Sequence, residues 1–181
     1  AATWHYKITV EAVRDAVAGE PNSPGNGVFQ PGWDMMIATD TSHIPGGKTE
    51  QGVVILINGV PVHWAATRHS MTALSSCESD VIAHVTGTTL GLAIRAMIEE
   101  LSLEKCAMKM TRYNMAAIIT ITNEVTSWGT RHYAQRASWI RERCRREGIQ
   151  VAHTVGTELI SDPLTKMLDR VKLSLARDRL E

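Results

Sequence analysis

The sequence has few of the features that would place a protein outside the cell or in a membrane. Its three cysteines are far apart in 181 residues and form no Cys-x-x-Cys pair, so neither a disulfide framework nor a thiolate zinc site is indicated. No apolar run approaches the length of a membrane span, and no basic leader precedes an apolar core. We therefore expect an intracellular, soluble protein with no membrane partner and one well-packed domain.

An excess of charge of either sign is also missing. The 19 lysine and arginine residues balance the 19 aspartate and glutamate residues, so the net charge favours no class of partner. Any metal or nucleic-acid site must therefore come from local clusters of side chains.

The chain divides into a short arm and a domain. Residues 3–18 have mixed helical spacing of apolar residues, and the segment after Gly19 is rich in Pro, Gly and Asn, as loops are. We expect residues 1–33 to be a helical arm and linker, and residues 34–181 to be the domain.

The domain begins with strands and continues with alternating helices and strands. Asn58-Gly59 predicts a tight hairpin turn, because both residues tolerate a positive φ. Gly87 and Gly91 could interrupt the long helix. The predicted elements are strands at 34–40, 51–57, 60–67, 105–112 and 149–155, and helices at 75–101, 114–122, 132–147 and from about 163. This order predicts an α/β fold whose mixed five-stranded sheet, with three antiparallel strands and then parallel additions, is flanked by helices.

Three acids lie at the ends of these elements. Asp40 ends the first strand, Glu78 lies in the first turn of the long helix, and Asp162 begins the last helix. Converging carboxylates can hold two hard divalent cations such as Mg2+ roughly 4 Å apart, which activate a water for phosphodiester cleavage. We therefore take Asp40, Glu78 and Asp162 as candidate catalytic and metal-binding residues.

Each of these acids also has a purely structural interpretation. Ser75 and Glu78 form a capping-box pattern, and Asp162 before Pro163 is a good N-cap. Asp40 could make a turn hydrogen bond. Asp80 and His84, four residues apart, could be ligands but are better explained as a solvated pair on the helix surface.

Arginines crowd the second half of the chain. Their planar guanidinium groups suit phosphate oxygens, although a solvated helical face is an equally good interpretation. The candidate nucleic-acid-binding residues are Arg131, His132, Arg136, Arg141, Arg145 and Arg146.

Several stretches resemble the ribonuclease H domain at the end of copia-type retrotransposon polyproteins. TALSSCESDVIA at 72–83 resembles the family's "ALSS-x-E-A-E" helix start, and SWGTRHYAQRASWIRE at 127–142 resembles its "WRTRH" segment. VAHTVGTELISDPLTKML at 151–168 resembles its "D-x-LTKPL" ending, and the arm is similar to the tail of the preceding polymerase region. The variant looks most similar to elements of single-celled algae such as dinoflagellates.

The resemblance implies a ribonuclease H-like fold, Mg2+ or Mn2+ as cofactor, and a four-carboxylate site with ligands at Asp40, Glu78 and Asp162. The fourth acid of the family comes from a "DN-x-x-A-I" motif, and here Tyr113 stands in its place. Asp80 likewise replaces the family's second glutamate. Whether Glu124 or Glu158 replaces the lost ligand is open.

Three functions follow from these expectations. The resemblance implies two-metal cleavage of RNA in RNA/DNA hybrids, impaired by Tyr113, in a chain that works beside a polymerase domain. The alternative is an inactive ribonuclease H-fold module that serves binding or structure in a larger assembly. A metal-independent nucleic-acid binder rests only on the arginines.

Overall fold

The structure is a computed structural model that describes residues 32–44, 47–112, 114–123, 128–155, 158–166, 168 and 170–178. The predicted helix over residues 3–18 lies outside the described residues, as do Tyr113 and Glu124. The division into an arm and a domain therefore stays a prediction.

Five strands form one mixed sheet. They are β1 (Trp33–Ser42), β2 (Glu50–Ile57), β3 (Val60–Arg68), β4 (Cys106–Arg112) and β5 (Gln150–His153). Their order is β3-β2-β1-β4-β5. Strands β1 to β3 are antiparallel neighbours, whereas β4 and β5 add in parallel on the other side of β1. The predicted architecture is confirmed, including the hairpin, where Asn58 and Gly59 adopt φ values of 49° and 84°.

The described residues also form four α-helices and two 3-10 helices. The α-helices are α1 (Ser76–Ser102), α2 (Met115–Thr122), α3 (Ala134–Glu147) and α4 (Arg170–Asp178), and the 3-10 helices span Trp128–Tyr133 and Asp162–Leu164. The expectation that Asp162 begins the last helix is wrong. Asp162 begins a short turn that closes when the Thr165 N–H donates to the Asp162 carbonyl at 3.2 Å, and α4 starts only at Arg170.

Helix α1 is continuous, and its two glycines let it approach the sheet closely. A Cβ atom at Gly87 would lie 2.8 Å from Thr39 Cγ2, and one at Gly91 would lie 2.8 Å from Met108 Cε. The glycines therefore serve close packing and do not interrupt the helix.

Contrary to the sequence expectation, α1 is long and apolar enough, by length and composition, to cross a membrane. In the fold, however, Val81, Ile94 and Ile98 are buried in the main core with Ile37 and Ile55 of the sheet. These contacts make α1 the core helix of a small α/β domain.

The opposite face of the sheet carries a smaller core that fixes the position of Asp162. Leu159 packs there with Ala38 and Val54. A Cβ atom at Gly52 would lie 2.8 Å from both the Ser161 carbonyl oxygen and Leu164 Cβ. Since Gly52 is the register partner of Asp40, this close approach brings the turn that carries Asp162 to the end of β1.

Candidate carboxylate site

Asp40 is the centre of a group of acids at the end of β1. Burial raises the pKa of its carboxyl, and the negative charges of Asp162 and Asp80 raise it further. The Thr165 hydroxyl, which donates to Asp40 Oδ2, opposes this shift, as does the nearby Lys166 ammonium. The structure therefore brings Asp40 together with Asp162 and with Asp80, which we did not select from the sequence.

Asp162 reaches this group from the far end of the chain. Its carboxylate forms an ion pair with Lys166 one turn later. The same ammonium group opposes the rise in the pKa of Asp40. One lysine therefore partly neutralises the negative charge of two of the acids.

Asp80 projects from the start of α1 and is buried, with 6% of its surface exposed. Thr41, next to Asp40 in β1, donates its hydroxyl to Asp80 Oδ1 at 2.6 Å. The Asn114 amide donates to Asp80 Oδ2 at 2.5 Å, while Asn114 Oδ1 accepts the Ala116 N–H and caps α2. Asp80 is therefore tied to both β1 and the junction between β4 and α2.

The interpretation of Asp80 and His84 as a solvated surface pair is wrong. His84 is also buried, and its Nδ1 lies 2.8 Å from the Thr39 hydroxyl. One sequence signal pointed to Asp80: it occupies the place of the family's second glutamate. Its contacts with Thr41 and Asn114 depend on tertiary structure that a helical pattern does not contain.

Glu78 points to a different set of partners. Its carboxylate accepts the Leu74 N–H at 2.6 Å and lies 3.2 Å from His132 Nε2. Its own N–H donates to the Ser75 hydroxyl, the N-cap of α1. The structure thus shows a capping and clamping role for Glu78, and its role as a metal ligand stays a prediction.

Tyr113, which stands where the resemblance implies a fourth acid, falls in the sequence between two described elements. Strand β4 ends at Arg112, and Asn114 caps α2. Tyr113 itself is outside the described residues. Glu158, the described alternative to the lost ligand, is exposed.

The donor chemistry of Asp40, Asp80 and Asp162 fits a hard divalent cation, because all three offer carboxylate oxygens. Within the described residues, no three acid, histidine or cysteine side chains converge closely enough to bind an ion as they stand. Each of the three carboxylates is instead held by a hydroxyl, amide or ammonium group of the chain.

The arginines of α3 are mostly engaged with the protein itself. Arg141 donates to the carbonyl oxygens of Thr120, Ile121 and Asn123 at 3.0, 3.1 and 2.5 Å, at the end of α2. Arg146 pairs with Glu142 at 3.0 Å.

The other predicted nucleic-acid-binding residues differ in exposure. His132 is paired with Glu78, and Arg136 contacts the Met71 sulfur at 3.2 Å. Arg131 and Arg145 have exposed side chains. Arg145 also lines, with Arg141, a cleft of about 460 Å³ between α2, α3 and β5.

Comparison with known proteins gives one relative by sequence. No protein-family model matches the chain. Over 135 residues it is 25% identical to the retrovirus-related Pol polyprotein from transposon TNT 1-94 of Nicotiana tabacum. The alignment covers 75% of this chain and 10% of the polyprotein, so the chain spans about a tenth of the length of that relative.

Solved structures give the fold. LC11-RNase H1, isolated from compost by a metagenomic approach, superimposes with a TM-score of 0.53 at 11% identity, covering 75% of this chain and 93% of that one. The same protein in complex with an RNA/DNA hybrid gives a TM-score of 0.47 at 13% identity, covering 70% and 88%. The chain is therefore a homologue of a retrotransposon Pol polyprotein, and it has the ribonuclease H fold.

Proposed function

We propose that this chain is a ribonuclease H-type domain that binds RNA/DNA hybrids and whose cleavage of the RNA strand is strongly reduced or absent because of Tyr113. The observation that carries the proposal is the gathering of Asp40, Asp80 and Asp162 at the end of β1 in a ribonuclease H fold. The relative is a Pol polyprotein, which supports a neighbouring polymerase domain as partner.

In this proposal Asp40, Asp80 and Asp162 would hold Mg2+ or Mn2+. Two such ions supply an activated water and stabilise the leaving oxygen of the phosphodiester. The chain itself orients the ligands: Thr165 fixes Asp40, and Thr41 and Asn114 fix Asp80. In this proposal the ligand from α1 is Asp80, whereas the resemblance implied Glu78.

Tyr113 limits this site because a neutral phenol is a poor ligand for a hard cation. The reference pKa of a tyrosine phenol is near 10, so an unperturbed phenol is protonated at neutral pH. With three acids instead of four, the metal that the missing ligand would share is held less tightly.

Recognition of the hybrid would rest on its shape and charge. A-form-like duplexes display 2′-hydroxyls across a wide, shallow minor groove, which distinguishes RNA-containing duplexes from DNA. LC11-RNase H1, which shares the fold, is known in complex with such a hybrid. Arg131, Arg145 and Arg146 are our candidates for phosphate contacts, because their side chains are exposed. Arg141 instead donates to carbonyl oxygens at the end of α2, and His132 is paired with Glu78.

A second function is favoured by one feature of the site. Every acid in the site already accepts a hydrogen bond or an ion pair from the chain. The Lys166 ammonium partly neutralises Asp162 and Asp40 without a metal ion. Such a site is also expected in a catalytically inactive module that keeps the ribonuclease H fold for binding or structure.

The test is the replacement Tyr113→Asp, with Tyr113→Asn as the matched control of similar size without the charge. Cleavage of a labelled RNA/DNA hybrid is measured in Mg2+ and in Mn2+. We expect Tyr113→Asp to cleave about 100-fold faster than the parent, while Tyr113→Asn stays at the parent level. Equal rates for all three proteins would reject Tyr113 as the limiting residue and favour the inactive module.

A further inference from the structure

Helix α1 ends in an apolar strip that nothing in the described part of the chain covers. Met97, Leu101 and Leu103 are 37%, 75% and 90% exposed. Met97 and Leu101 are four residues apart and lie on one side of the helix, and Leu103 is its C-cap. Single exposed leucines are ordinary, but a cluster at one helix end indicates a surface that another element covers.

Leu103 strengthens this interpretation. It adopts a left-handed conformation with φ of 59°, where glycine is the usual residue because it has no Cβ. A glycine would cap α1 with less strain, whereas leucine places an apolar side chain that is 90% exposed at the end of the helix.

The chain enters the domain beside the same strip. The Trp33 indole N–H donates to the Ser102 hydroxyl at 2.9 Å, and the Trp33 backbone N–H donates to the Lys105 carbonyl at 3.1 Å. Trp33, the first residue of β1, is therefore held at the end of α1.

Residues 3–18 have the sequence of a partner for this strip. Tyr6, Val10, Val13 and Val17 follow the i, i+4, i+7, i+11 spacing of one apolar helical face. Residues 19–31 can span about 40 Å when extended, whereas the strip from Met97 to Leu103 is only about 10 Å long. The linker therefore allows residues 3–18 to fold back onto α1.

We propose that residues 3–18 dock as an amphipathic helix on the strip formed by Met97, Leu101 and Leu103. Another apolar surface exists on α4, where Val171, Leu173 and Leu175 are exposed. The entry of the chain beside Ser102 favours the strip on α1. The docking does not depend on hybrid cleavage, so its test is separate from that of the proposed function.

The test is hydrogen exchange of the full chain, followed by mass spectrometry of peptides from residues 3–18 and from the end of α1. We expect the arm to exchange at least about tenfold more slowly than an unstructured peptide. Leu101→Asp should remove this protection and speed exchange at the end of α1. Leu173→Asp on α4, with a similarly exposed leucine, should leave both unchanged.

Three results would overturn the proposal. The first is exchange of the arm in the parent protein as fast as in an unstructured peptide. The second is loss of protection in Leu173→Asp but not in Leu101→Asp. The third is protection that rises with protein concentration, which would indicate that a second copy of the chain occupies the strip. Exchange of core strand β1 reports whether each variant is folded, and Leu101 is exposed enough for its replacement to leave that core intact.

Discussion

The end of β1 and helix α3 are both rich in like charges, but they use them in opposite ways. At the end of β1, acids that are distant in the sequence come together, and burial together with the charges of Asp162 and Asp80 raises the pKa of Asp40. In α3, arginines that are adjacent in the sequence point apart, toward the end of α2, toward nearby glutamates or toward solvent. The candidate site is therefore marked by charges that converge from distant parts of the chain. The number of charges in one segment does not indicate such convergence.

The two acids at the start of α1, only two residues apart, also differ in whether they reach the other carboxylates. Glu78 and Asp80 are both buried, yet only Asp80 reaches the donors Thr41 and Asn114 beside the other carboxylates. Residues two apart in a helix point in nearly opposite directions, so only one of them can face β1.

The largest effect on stability that this comparison predicts is at Arg141. Replacing it by alanine leaves three carbonyl oxygens at the end of α2 without their donor, so we expect the free energy of unfolding to fall by about 2 kcal/mol. Arg145→Ala, in the same helix and exposed, should change it by less than about 0.5 kcal/mol. Urea denaturation measures both, and equal losses would contradict the structural role of Arg141.

A smaller effect is predicted for Asp40→Asn. The pKa of Asp40 is raised above its usual 3.8, so the folded state binds this proton more tightly than the unfolded state does. The free energy of unfolding therefore falls as the pH rises above 3.8, because the folded state has to give up this proton. At pH 7 the asparagine variant should melt about 2–4 °C higher than the parent, and the difference should shrink toward pH 4.

Calorimetry at both pH values checks this prediction. Asp34→Asn is the control, since Asp34 is exposed near the start of the same strand. An asparagine variant at position 40 that melts lower than the parent at pH 7 would show that the carboxylate stabilises the fold.

The sheet could be predicted from the sequence because its signals are local. Asn58-Gly59 supplies the turn geometry, and the alternation of strands and helices fixes the parallel additions. The turn at Asp162 could not be predicted as a short 3-10 helix, because Pro163 is equally suited to the start of a longer helix. Its position depends on packing against Gly52, a contact between distant parts of the chain.

The gathering of acids at the end of β1 could be predicted only in part, for the same reason. Asp40 and Asp162 lie where strand and turn ends meet, so their convergence follows from the order of the elements. The choice between Glu78 and Asp80 depends on the rotation of α1 about its axis, which is set by Gly87 and Gly91 against the sheet. The capping pattern at Ser75 was visible in the sequence, and the Ser75 hydroxyl accepts the Glu78 N–H as that pattern predicts. The Glu78 carboxylate, however, accepts the N–H of Leu74 and not that of Ser75.

The most direct test of the carboxylate site is calorimetric titration of Mn2+ into Tyr113→Asp, alone and combined with Asp80→Asn or with Glu78→Gln. We predict that Asp80→Asn weakens Mn2+ binding by about tenfold or more, since it removes a ligand, and that Glu78→Gln leaves it nearly unchanged. Loss of binding in Glu78→Gln with full binding in Asp80→Asn would contradict the site described by Asp40, Asp80 and Asp162.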